Sequence, residues 1–130
     1  MSTLDDYVTK ARVALDRVRP QFDELKVRAD LAKAEARDKL QSGIASLQQA
    51  QVRAKSQVDQ AAKAGQGTWR TTAEKAERSV NDVGTQLQSL VDQVQKSAGA
   101  AAPAARKAWS AFLDEWNTSK RDREQLLKEG

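Results

Sequence analysis

One apolar stripe, recurring every three or four residues from Leu4 to Trp116, constrains this chain more than any other feature. The spacing follows the 3.6-residue turn of an α-helix and not the strict alternation of a half-buried strand. In the first third it is a heptad seam: Leu4, Val8, Ala11, Leu15, Val18, Phe22, Leu25, Ala29, Ala32 and Ala36 alternate steps of four and three. That pattern belongs to a left-handed coiled coil or a bundle helix. Further on the steps lengthen through Leu40, Ile44, Leu47, Gln51, Ala54, Val58, Ala62, Gly65, Trp69, Ala73, Ala76, Val80, Val83, Leu87, Val91, Val94 and Ala98. They lean toward four-four-three, an eleven-residue period that keeps a stripe nearly straight along a helix.

The rest of the sequence agrees with helix. Charged residues are 31% of the chain and only two prolines occur. Acid-first pairs four residues apart line the polar side: Asp6/Lys10, Glu24/Arg28, Glu35/Lys39, Asp59/Lys63, Glu74/Arg78, Asp92/Lys96 and Glu124/Lys128. Each such pair adds about 0.2–0.5 kcal/mol to an exposed helix. The core is expected to be thin, because aromatic residues are 5% of the chain and many stripe positions carry Ala. Burying a large apolar side chain contributes roughly 1.5–3 kcal/mol, and a methyl group much less.

Interruptions divide the stripe. Pro20 removes a helical hydrogen bond and is expected to bend the first helix. Gly43 is a weaker breaker. Gly65-Gln66-Gly67 reads as a turn, with Thr68 as an N-cap and Thr71-x-x-Glu74 as an alternative capping box. The small residues before Pro103 read as a linker, and Asn117-Thr118-Ser119 offers a cap for a last short turn. The layout that follows is a single helical domain over 1–130. It has a helix over about 3–64 bent at Pro20, a turn at 65–67, a helix over about 68–97, a linker at 98–103 and a helix over about 104–128. The fold class is all-α: long amphipathic helices in an antiparallel coiled coil or elongated helical bundle.

The absence of Cys and His removes disulfides, thiolate chemistry and the commonest general base and metal ligand. Asp5/Asp6, Asp23/Glu24 and Asp114/Glu115 are neighbours in sequence, about 100° apart on a helix, and do not form a catalytic dyad. No enzyme activity, metal or cofactor is expected. Met1 to Asp6 has neither a basic start nor an apolar run, and no stretch reaches the ~18 apolar residues of a bilayer span. A cytoplasmic protein is expected on that ground. The net charge of +4 comes from 22 basic and 18 acidic residues that are interspersed. Such mixing disfavours nucleic acid as a partner and permits weak attraction to anionic surfaces.

The densest apolar feature is Trp109, Phe112, Leu113 and Trp116, on one helical face and flanked by Arg106, Lys107, Lys120, Arg121 and Arg123. With Trp69 these are the candidate partner or surface contacts. The face reads either as the plug of a bundle or as an aromatic anchor rimmed by bases at a lipid boundary. Helices with an eleven-residue period, alternating charges and modest apolarity are similar in kind to those of apolipoproteins, storage-granule coat proteins (phasins) and late-embryogenesis desiccation proteins. The segment from Thr72 to Ser79 is the most similar. The resemblance covers period and composition over about half the chain and implies helices that adsorb to a surface. Its three Trp set this chain apart from the desiccation proteins. The residues themselves favour a structural or adaptor protein acting through helix self-association, as a homo-oligomer or with another helical partner. Coating of a lipid, granule or membrane surface is the alternative, and weak nucleic-acid binding a third.

Overall fold

The computed structural model describes residues 3–64, 67–97 and 103–129. They form four helices, α1 (Thr3–Asp30), α2 (Ala34–Lys63), α3 (Trp69–Ser97) and α4 (Pro103–Glu129), as an all-α bundle around one apolar core. Cross-helix contacts give the directions. Gln51 meets Leu15 and Asp59 meets Arg12, so α2 runs back along α1. Ser46 with Gln86 and Gln57 with Ser79 make α3 antiparallel to α2. Lys10 with Asp122 and Arg17 with Glu115 lay α4 antiparallel to α1. The result is an up-down-up-down bundle in which α4 leans on α1 and α3 and, among the described residues, makes no close contact with α2.

The seam is where the heptads place it. Val8, Leu15, Val18, Phe22 and Leu25 of α1, Leu40, Ile44 and Leu47 of α2, and Val80, Val83, Leu87 and Val94 of α3 are all buried, with Leu4 half-buried against them. The buried faces are wider than the stripe, because each helix covers more than one neighbour. Tyr7, Ala14, Ala50 and Leu90 complete them. Ala61 is buried where the stripe expected Ala62, which faces solvent. Gly43 interrupts nothing. It gives α3 room for the Leu90 side chain, whose Cδ2 would lie 2.5 Å from a Cβ there.

The expected helix over about 3–64 is broken, and not at Pro20. α1 continues through Pro20, which is exposed, so its missing N–H leaves only a solvent-side carbonyl unpaired. The break falls at Leu31-Ala32-Lys33, with no Gly or Pro to announce it. Ala32 N–H donates to the Ala29 carbonyl at 3.1 Å, tightening the last turn, and Lys33 is extended at φ −61°, ψ 151°. The Arg37 guanidinium then covers the Ala32 carbonyl at 3.3 Å. The cause is tertiary. Breaking a helix forfeits a few hydrogen bonds worth about 1 kcal/mol each, whereas a straight rod would leave both apolar faces in water at roughly 1.5–3 kcal/mol per large side chain.

Other boundaries differ less. Gly67 and Thr68 are in a turn and Thr68 directly precedes α3, while Gly65 and Gln66 lie outside the described residues. The linker expected at 98–103 lies outside them as well, except Pro103, which opens α4 as a first-turn proline can. Asn117-Thr118-Ser119 caps nothing, since α4 runs through it and Thr118 Oγ1 bonds back to the Asp114 carbonyl at 3.0 Å. Of the acid-first pairs, Glu24–Arg28 closes at 3.0 Å, while Asp59 turns to Arg12 of α1 at 2.9 Å.

Candidate functional site

The interface of α4 with α1 and α3 holds a polar cluster unlike the rest of the core. Arg123 of α4 is fully buried and Glu77 of α3 nearly so. The Arg123 Nε–H donates to Glu77 Oε1 at 2.8 Å, and its Nη1 donates to Ser119 Oγ at 2.6 Å. The Tyr7 hydroxyl of α1 lies 3.1 Å from the same Glu77 oxygen and 3.2 Å from the Ala73 carbonyl. Having one proton, it donates to one of these at a time. The guanidinium carbon stands 5.5 Å from the centre of the Trp116 ring, a cation–π distance, and Phe112 follows at 6.2 Å between ring centres.

Gly84 makes this seat possible. A Cβ there would lie 2.8 Å from Trp116 Cε2 and 3.0 Å from Cζ2, so the indole of α4 rests directly on the α3 backbone. Burial pushes the Glu77 carboxyl above the usual carboxylate range, opposed by Arg123 and the Tyr7 hydroxyl and assisted slightly by Glu124. The Tyr7 phenol is pushed up as well, first by burial and then by the Glu77 charge that accepts its hydrogen bond.

Buried polar atoms on α3 and α4 are incompletely paired. Glu77 Oε2, Asn81 Oδ1, Trp109 Nε1 and Arg123 Nη2 are buried without a hydrogen-bond partner among the described residues. All four belong to α3 or α4. By contrast, the buried polar side chain under α1 and α2, Gln51, donates to the Leu15 carbonyl at 3.4 Å. An unsatisfied buried polar atom costs about 1–3 kcal/mol, so the flank that receives α4 is the expensive one.

The expected contact residues divide. Trp69, Trp109 and Trp116 are buried in the core, so the closed bundle presents no tryptophan anchor to solvent. Phe112 is half-buried against the core, and Leu113 is half-buried beside it. Tyr7 and Glu77 were missed in the sequence, and Arg123, expected on the basic rim of the aromatic face, is buried within the bundle instead. A signal existed for Arg123, which follows Trp109 and Trp116 at steps of seven and therefore shares their face. Among the described residues no three carboxylates gather to hold a metal ion, and no helix is long and apolar enough to cross a membrane. Compared with known proteins, the chain matches no family model, no curated protein and no solved structure.

Proposed function

We propose that this is a non-enzymatic binding protein that stores amphipathic helices in a closed bundle and opens them onto a lipid or polymer-granule surface. The observation that carries this reading is where the apolar stripe lies. All four helices turn it inward, so the surface that would meet a hydrophobic interface is already occupied by the chain itself. The partner faces for the stripe are supplied within one chain, which supports this reading over self-association through the stripe. Opening is cheapened by the Ala-rich seam and by the unpaired polar atoms under α4. An exposed face of basic and acidic residues then remains toward water, as interfacial helices require.

The adaptor reading keeps one specific support. Val13, Pro20 and Val27 recur at steps of seven on the outside of α1, with Leu31 four residues on, and Leu31 is 71% exposed. A helical partner would find a short second seam there. Nucleic-acid binding ranks last, since the charges remain interspersed.

Because the tryptophans are buried before any binding, a blue shift of their emission is a poor test. Quenching by brominated acyl chains is a better one, since lipid tails reach Trp109 and Trp116 only if the bundle opens. Flotation with anionic vesicles together with this quenching is the expected result. Absence of both, on vesicles and on polyester granules alike, would sink the proposal.

A further inference from the structure

The structure assigns to α4 the role of a latched flap: it leaves the α1–α3 body as a unit, held shut by the Arg123–Glu77–Tyr7 cluster, and its release uncovers the seam of α1 and α3. Three observations meet here. First, among the described residues α4 rests on α1 and α3 and not on α2, while α1, α2 and α3 pack on one another, so its removal leaves a three-helix body with its mutual contacts intact. Second, the four unpaired buried polar atoms lie on α3 and α4, and two of them, Glu77 Oε2 and Arg123 Nη2, belong to the ion pair that joins these helices. On undocking, these two regain water, which reduces the free energy of that opening. Third, the latch is ionic and directional. Arg123 reaches Glu77 at 2.8 Å, and Tyr7 binds the same oxygen from α1, so one carboxylate ties three helices together at a single point.

A lone buried charge is far worse than a buried pair or none, which makes this point a switch. Interactions that neutralise or compete for Arg123 leave Glu77 uncompensated and drive α4 off. An anionic surface is such a competitor, because a phosphate accepts a guanidinium bidentately and in water-accessible geometry. That last step, the flap as the gate to surface binding, rests on the function proposed above. The flap itself does not.

Native-state hydrogen exchange on the full chain, resolved by helix, tests both separately. In the unmodified protein α4 amides are expected to exchange through an opening that leaves the middle of α2 protected. Arg123→Ala should accelerate α4 by about a hundredfold, with α2 still exchanging more slowly than α4. Arg123→Lys, which keeps the charge and loses the guanidinium fork that reaches both Glu77 and Ser119, should accelerate it by about tenfold, and supports the test should Arg123→Ala not fold. Arg12→Ala, which breaks the exposed pair with Asp59, should leave α4 at its original rate. If α4 exchanges in step with α2 in the unmodified protein, or if Arg123→Lys leaves its rate unchanged, the flap is overturned. The same variants are then titrated with vesicles of phosphatidylcholine and phosphatidylglycerol. Faster α4 exchange with tighter vesicle binding supports flap and gate together. Faster exchange with no vesicle binding by any variant keeps the flap and removes the surface reading.

Discussion

Replacing Gly84 by alanine puts a methyl group where the Trp116 indole now lies, and the sign of the effect can be worked out in advance. In a helix interior the change from Gly to Ala gains about 0.8–1.0 kcal/mol. Against this, the new Cβ would meet two ring carbons at 2.8 and 3.0 Å. The indole cannot swing aside cheaply, being buried between Arg123 and Phe112. Overpacking of this kind costs about 1–3 kcal/mol, so Gly84→Ala is expected to destabilise by up to about 2 kcal/mol. Gly43 provides the control. There the obstacle is Leu90 Cδ2, the end of a flexible side chain, and an off-rotamer adjustment costs about 0.5–1.5 kcal/mol. Gly43→Ala is therefore expected to be near neutral. The comparison is read by urea unfolding, monitored by far-ultraviolet circular dichroism and by tryptophan emission. Gly84→Ala should lie about 1–2 kcal/mol below Gly43→Ala, with the emission of Trp116 perturbed only in the former. Equal stabilisation by both substitutions would refute the seating of Trp116 on the α3 backbone.

Two further outcomes follow from the buried cluster. Arg123→Met alone should cost about 3–5 kcal/mol by leaving Glu77 unpaired, whereas Arg123→Met with Glu77→Leu should be neutral or stabilising by about 1–4 kcal/mol. Urea unfolding of the double-mutant cycle decides it, and additive losses would contradict an ion pair. The pH dependence also has a defined sign. Glu77 holds its proton in the folded state above its ordinary value near 4.5, so its contribution to stability is complete below that value and falls as pH rises through the raised one. Tyr7 likewise keeps its proton past its ordinary value near 10.0, and its contribution is lost as pH climbs beyond that. Thermal melts across pH, compared with those of Glu77→Gln and Tyr7→Phe, should show the acid-side slope vanish in the first and the alkaline loss lessen in the second.

The sequence carried the bundle because period is a local property, and the residues at heptad spacing from Val8 to Ala32 could be read directly as one face. It did not carry the corner at 31–33, because nothing in Leu31-Ala32-Lys33 prefers to turn. That corner exists because α2 gains more by lying against α1 than by extending it, a comparison between distant segments. The polar cluster escaped for a related reason. Glu77 and Arg123 each sit among charged neighbours and read as solvated surface until α3 and α4 are brought together. Tyr7, by contrast, stands four and seven residues before Ala11 and Ala14, so a second ridge beside the heptad seam was open to view. The tryptophans were correctly singled out, and the choice between plug and anchor was a question about the fold that spacing does not answer.

The corner between α1 and α2 has its own consequence. A turn built from ordinary helix formers costs little to straighten, and residues 3–63 as one helix would reach about 90 Å. The packing of α2 and α3 on α1 holds the bend, and a second copy of the chain offers the same packing. At high concentration the chain thus has a route to exchange first helices with a neighbour, remaking the α1–α2 packing between copies, the ordinary path to a domain-swapped dimer. Its assembly state would then depend on crowding and on the history of folding.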